Sequence, residues 1–265
     1  MTNYIKNFEC MDLIPSNIAL SGTETMLFNC MSRESVLKRT LADPRYHQWY
    51  PILYIMANTG LRVGELTGLR WCDVNFIKEE ISINHNLIYY NHRDDRGCYF
   101  SITKPKTDAG IRTVPMTKSV VKAFRMYKQY LDDAGIKCLD HIDGYDDFIF
   151  VGRFGHVHNQ ATINSAIHRI VKNINLDILD KEDVDSEPLL IPDFTCHILR
   201  HTFATRLCER GVNIKVIQAL MGHEDFQTTM NIYVNVTKTS ALGVDIMNLL
   251  DGFRETDIEV TKRGE

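Results

Sequence analysis

The spacing of apolar side chains changes period several times along the chain, and each change marks an element. From Ser32, Val36, Leu37 and Leu41 recur at helical intervals, with the Ser32 hydroxyl as a cap, until Asp43-Pro44 breaks the run. Residues 47–59 predict a helix, with Tyr50, Leu53, Tyr54 and Ala57 on one face and Gly60 as its stop. A shorter helix is expected from about Val63 to Leu69. The pattern then turns to β-type. Segments 80–90, 98–104 and 111–115 read as strands, and Asp108-Ala109-Gly110 reads as a hairpin turn between the last two. One small antiparallel sheet is the expectation.

Helical spacing returns at 117–134, through Val120, Val121, Phe124, Tyr127 and Leu131, and Gly135 stops it. Phe148-Ile149-Phe150-Val151 is a short apolar strand candidate, and 160–174 is helical again. The acidic stretch 177–187 reads as a loop closed by Pro188 and Pro192. Helices follow at about 197–210, 213–221 and 226–232, with a last one over about 237–250. Residues 1–32 show no sustained period and read as a linker or arm, and 251–265 as a charged tail. The whole predicts a mainly α fold with a small antiparallel β-sheet (α+β) over 33–250, without internal repeats.

Composition narrows the picture. With 44% hydrophobic and 24% charged residues, the 265-residue chain has enough apolar material for a sizeable core. No apolar run approaches the ~18 residues that read as a membrane span. Met1-Thr2-Asn3-Tyr4-Ile5-Lys6 lacks a signal-peptide pattern, so the expected compartment is the cytoplasm. Seven cysteines, with no Cys-x-x-Cys pair, argue against a disulfide framework or a cysteine-built zinc site. Several are expected to be small buried apolar residues.

The net charge of −4 argues weakly against a nucleic-acid partner. Its distribution softens the objection. Segment 132–147 holds six Asp against one Lys, and 177–187 holds six acidic residues against one Lys. The remainder carries 28 basic and 22 acidic residues, a net of +6, which allows a basic face.

The densest run of polar chemistry is His197-Ile198-Leu199-Arg200-His201, followed by Leu220-Met221-Gly222-His223 and then Tyr233. His197 and Arg200 are three apart and share a helix face, with Leu199, Phe203 and Leu207 toward the core. Gly222 ends a helix and leaves His223 at an exposed turn. Far upstream, Thr59-Gly60-Leu61-Arg62-Val63-Gly64-Glu65-Leu66 sets Arg62 after a glycine turn, at a helix start suited to an anion. Singly, each has an ordinary reading: Arg62 as a surface charge or a partner for Glu65, the histidines as structural, Tyr233 as packing, Lys104 and Lys106 as edge charges. Their joint occurrence, in order, carries the weight.

That order is Thr-Gly-Leu-Arg-x-Gly-Glu-Leu (59–66), Pro-Lys-Thr-x-x-Gly-x-Arg-Thr-Val-Pro (105–115), His-x-Leu-Arg-His-Thr-Phe-Ala-Thr (197–205), Leu-Met-Gly-His (220–223), then Tyr233. It resembles the tyrosine recombinases, especially the integrases of phages and conjugative transposons, over roughly residues 33–250. The resemblance implies the family's catalytic-domain fold and its reaction. Tyr233 would attack a scissile DNA phosphate to give a 3′-phosphotyrosine and a free 5′-hydroxyl. Arg62 and Arg200 would grip the non-bridging oxygens, with His197 and His223 completing the pocket and the resemblance leaving proton transfer open between His197 and Lys106. Lys106 would protonate the leaving 5′ oxygen, and Glu65 would support the site. The partners implied are duplex DNA and further copies of the chain, a tetramer on two sites. The cofactors implied are none, neither metal nor nucleotide.

The chemistry agrees with those residue types. Attack on a phosphodiester builds negative charge that two permanent guanidiniums stabilise. A cationic pocket also favours the phenolate over a phenol of pKa near ~10.

Two other readings compete. His197 and His201 are four apart, the spacing of a His-Glu-x-x-His zinc helix, but Ile198 stands where that motif needs Glu. A binding fragment without catalysis is the second. The family carries a separate core-binding domain ahead of the catalytic one, and only about 32 residues precede it here. Apolar residues of the last helix (Ala241, Leu242, Val244, Ile246, Leu249, Leu250) fit either its own core or a neighbouring protomer.

Overall fold

A computed structural model describes residues 43–105, 110–180 and 190–239, with the backbone alone from 233 onward. The expectations for the arm 1–32, the helix opening at Ser32, Lys106 with Asp108-Ala109, the loop residues 181–187 and everything past 239 lie outside the described residues.

Asp43-Pro44 does more than break a helix. The Asp43 carboxylate accepts the Arg45 N–H at 2.9 Å and opens a 3-10 turn, Pro44–Tyr46, that leads into the first described helix. That helix, α1 (Trp49–Thr59), buries nine of its eleven residues. A helix apolar on every side belongs inside the molecule, and α1 packs against α3 (Lys118–Ala134) and α5 (Cys196–Glu209). Phe124, Tyr127, Phe148 and Phe150 fill the core beside it, each almost fully buried. Burial of such a side chain contributes about 1.5–3 kcal/mol of transfer free energy. The Tyr127 hydroxyl donates to the Val151 carbonyl at 2.9 Å, so its polar end is satisfied.

Between α1 and α3 lie the short helix α2 (Val63–Thr67) and five strands. β1 (Val74–Asn75), β2 (Glu80–Ile83) and β5 (Arg112–Pro115) form one antiparallel sheet in the order β1-β2-β5. β3 (Asn86–Asn91) and β4 (Cys98–Thr103) form a separate hairpin. Two expectations are corrected here. The stretch 80–90 is two strands in two sheets, because the chain turns at Asn84-His85. The His85 ring is buried against Tyr145, with Nε2 bonded to the Gly68 carbonyl at 2.6 Å. The segments 98–104 and 111–115 are not hairpin partners, since β4 pairs with β3 and β5 with β2. The β3–β4 turn falls at 92–97, where the His92 N–H donates to the Gly97 carbonyl.

Phe148–Val151 is buried but makes only single bridges, Arg70 with Phe148 and Val151 with Val157, so it is an extended core segment rather than a strand. Helix α4 (Gln160–Leu179) runs past 174 and takes in the start of the acidic stretch. After α5 come α6 (Ile214–Met221) and α7 (Phe226–Thr239). α7 is continuous where a break at 232 was expected. The segment Tyr233-Val234-Asn235-Val236 has no Gly or Pro to end it.

α5 spans two apolar clusters. Cys196 and Leu199 join the main core, while Ala204 and Cys208 pack with Ile217 and Met221 of α6 in a smaller one. Cys196 and Cys208 thus serve as buried apolar residues, whereas Cys72 and Cys98 are exposed. Among the described residues no helix is long and apolar enough to cross a membrane.

Candidate active site

The site begins with a glycine. Gly60 ends α1 at φ 65°, and a Cβ there would lie 2.4 Å from the Phe203 ring on α5. Only glycine lets α5 come this close to the α1–α2 turn. The chain then extends through Leu61 to Arg62, which caps α2. The Arg62 N–H donates to the Glu65 carboxylate at 2.8 Å, and its guanidinium Nη1 donates to the same carboxylate at 2.8 Å.

Glu65 is a buried hub. Arg112, from β5, donates to it through both Nη atoms at 2.9 and 2.8 Å, and Arg200 approaches to 4.0 Å. Burial alone would raise the Glu65 pKa, but the hydrogen bonds and charge of Arg112, then Arg62, prevail and hold it at about 2.

The C-terminal end of α6 supplies the next layer. Gly222 closes that helix at φ 60°, leaving the last carbonyls without partners inside the helix. Arg112 Nε donates to the Leu220 carbonyl at 2.8 Å, Arg200 Nη2 to that of Met221, and Arg62 Nη2 to that of Gly222 at 2.7 Å. Arg200 also donates to the Gly60 carbonyl through Nη1. It is 3% exposed. Burial, then the like charge of Arg62, lowers its pKa to about 9 against the pull of Glu65, so it stays cationic at neutral pH.

His223 follows this carbonyl run. The expected exposed turn is half-buried instead, because the first turn of α7 folds over it, and Nδ1 shares a hydrogen bond with the buried Thr229 hydroxyl at 3.0 Å. Burial, followed by the charges of Arg200 and Arg62, lowers its pKa to about 4, so the ring is neutral at pH 7. His197, at the start of α5, is exposed, with its Nε2 3.0 Å from that of His201. Among the described residues no group of three or more His, Cys, Asp or Glu side chains is placed to hold a metal ion.

Arg62, His197, Arg200 and His223 all line one cleft of about 550 Å³, with Gln160 and Thr228 at its wall. Two guanidiniums and two imidazoles there suit a tetrahedral oxyanion. An adjoining groove of about 840 Å³ shares Arg62 and Gln160 and runs out to Asn86, Tyr90 and Phe100 of the β3–β4 hairpin. Tyr233 lies on α7, about two turns beyond Phe226, in the helix whose first turn lines the cleft. Lys106 is outside the described residues, and Lys104 is exposed. Arg112 and Thr229 were not singled out from the sequence. Arg112 does stand in the same motif as Lys106, which was the available signal.

Residues 33–240 match the family model described as the phage integrase family. The transposase from transposon Tn916 of Enterococcus faecalis is 34% identical over 210 residues, 79% of this chain and 47% of that protein. A tyrosine recombinase XerC-like protein of Caldanaerobacter subterraneus is 28% identical over 206 residues, 74% of this chain and 48% of that one. The chain thus spans about half the length of these curated relatives. Among solved structures, the Tn1549 transposon integrase in complex with circular intermediate DNA superposes with a TM-score of 0.63 at 31% identity, over 84% of this chain and 64% of that one.

Proposed function

The chain belongs to the phage integrase family of tyrosine recombinases, and from that premise we propose that it cleaves and rejoins duplex DNA at specific sites through a 3′-phosphotyrosine on Tyr233. The observation that carries this reading is the convergence of Arg62, His197, Arg200 and His223 on one cleft beside the helix that bears Tyr233. Its substrate, duplex DNA, is supported by the DNA-bound Tn1549 integrase, which shares this fold.

In the proposed reaction the Tyr233 phenol releases its proton to solvent, a loss that the cationic pocket favours, and its oxygen bonds to phosphorus as the bond to the 5′ oxygen breaks. Arg62 and Arg200 hold the two non-bridging oxygens and offset the charge that builds on them. His223, neutral at pH 7, contributes a hydrogen bond rather than a third cation. His197, exposed at the cleft mouth, completes the pocket, and Lys106 protonates the leaving 5′ oxygen. Glu65 holds Arg62 and takes no part in the bond changes. Rejoining reverses the step, with the 5′-hydroxyl attacking phosphorus and the phenolate leaving. The phosphotyrosine conserves the energy of the original ester, so neither ATP nor a nuclease metal is required. Residues 33–250 form the catalytic unit in this account, working as a tetramer on two DNA sites.

The test is covalent capture. The protein is incubated with nicked suicide duplexes drawn from the ends of whatever element neighbours its gene, in EDTA and without ATP. A protein–DNA band that survives denaturing gel electrophoresis and vanishes in Tyr233→Phe is the expected result. An equal band in Tyr233→Phe would remove the nucleophile assignment.

A further inference from the structure

We propose that Arg112 is a positioning residue of the anion cleft: it absorbs the charge of Glu65 and holds the C-terminal end of α6, so that Arg62 and Arg200 face the substrate with their charge uncancelled. The inference rests on reading the cleft as a phosphodiester site.

Arg112 does not line the cleft and is nearly buried, with its side chain 7% exposed. It therefore acts through other groups. Its first partner is Glu65. Three guanidiniums surround this one carboxylate, which leaves the cluster with two net positive charges. Both Arg112 Nη atoms engage Glu65, whereas Arg62 offers it one and Arg200 only a 4.0 Å approach. Without Arg112, the carboxylate is left to the two arginines that face the cleft, and its charge cancels half of theirs.

The second partner is the carbonyl run at the end of α6. Leu220, Met221 and Gly222 each present a carbonyl there, and each is taken by a different arginine, from β5, α5 and the start of α2. This end of a helix carries partial negative charge and orphan acceptors, so it orders cations. Arg112 is the one of the three that stays behind the cleft, and it fixes the run from which His223 departs.

The experiment titrates inorganic phosphate into the full chain and follows the His223 imidazole resonance, with thermal melts to confirm folding. Arg112→Met is expected to weaken phosphate binding by about tenfold. Glu65→Gln combined with Arg112→Met removes the uncancelled carboxylate and is expected to bind within about threefold of the unaltered chain. A purely structural role for Arg112 would not produce that recovery. Where Arg112→Met does not fold, Arg112→Gln keeps a donor toward Leu220 and carries the same two comparisons.

Equal binding by the single variant and the unaltered chain overturns the assignment. So does a double variant that binds no better than the single one. If the unaltered chain binds no phosphate at all, the phosphodiester reading falls, and the role of Arg112 falls with it. Normal binding that ignores Arg112 sinks only the second.

Discussion

Two parts of this molecule are rich in arginine and hydrogen bonds, the cluster around Glu65 and the hairpin β3–β4, and their contacts differ in reach. In the cluster, Arg62 bonds to a carbonyl 160 residues away, Arg200 to one 140 away, and Arg112 to Glu65, 47 away. On the hairpin, Arg96 bonds to Asp94 and Tyr99, two and three residues off, and lies over the Tyr99 ring, on which His92 also stacks. The hairpin contacts form wherever that short segment forms. The cluster exists only once α2, β5, α5 and α6 have docked. Buried guanidiniums also gain far more from satisfied partners than exposed ones do, because water no longer competes. The site is therefore a product of the complete fold, while the hairpin is a local structure carried by it.

That contrast can be broken at several points. Arg62→Ala carries the largest expected effect, a loss of about 10²–10³-fold in the rate of covalent DNA capture. Its side chain is 42% exposed, so the urea midpoint should move little. A large stability loss with retained capture would place Arg62 in the scaffold instead. Arg200→Ala leaves the Gly60 and Met221 carbonyls without their donor in a buried place. It should cost about 3 kcal/mol of stability by urea denaturation. A shift near zero would mean that the cluster does not depend on the docked elements.

Acid should act on two histidines as well, His223 beside the cluster and His158, which is buried against the Trp49 ring away from it. His158 and His223 are both lowered by burial to about 4, His223 also by the charges of Arg200 and Arg62. The unfolded chain takes up those protons near 6.5, before the folded one does. Stability is then fully present above pH 6.5 and declines as the pH falls toward 4. Urea midpoints at pH 7 and pH 5 should show that decline, and His158→Asn with His223→Gln should reduce it. A profile that stays flat over this interval would contradict the buried neutral histidines. Arg96→Ala, the smallest effect, should leave the urea midpoint unchanged within error, since its bonds are exposed and local.

The same difference in reach explains what was readable in the sequence. α1, α3 and their glycine stops follow from local periodicity, and the ordered motifs pointed to Arg62, His197, Arg200 and His223. The strand partners were not readable. β2 and β3 sit in one apolar run, and the turn between them is fixed by His85 reaching Gly68 and Tyr145, contacts with no local signature. Arg112 was hidden for a related reason. Nothing near it in the chain indicates that its partners are Glu65 and Leu220. His223 at its turn was legible, but the Thr229 hydroxyl that half-covers it depends on how α7 folds back.

The central claim is that Tyr233 takes the DNA phosphate into the cleft of Arg62, Arg200 and His223. Proteolytic digestion of the captured protein–DNA adduct, followed by mass spectrometry, tests it most directly. The expected result is a single modified peptide containing Tyr233, bearing a nucleotide through a 3′-phosphate. A nucleotide attached to any other residue, or a 5′-phosphate linkage, would contradict it.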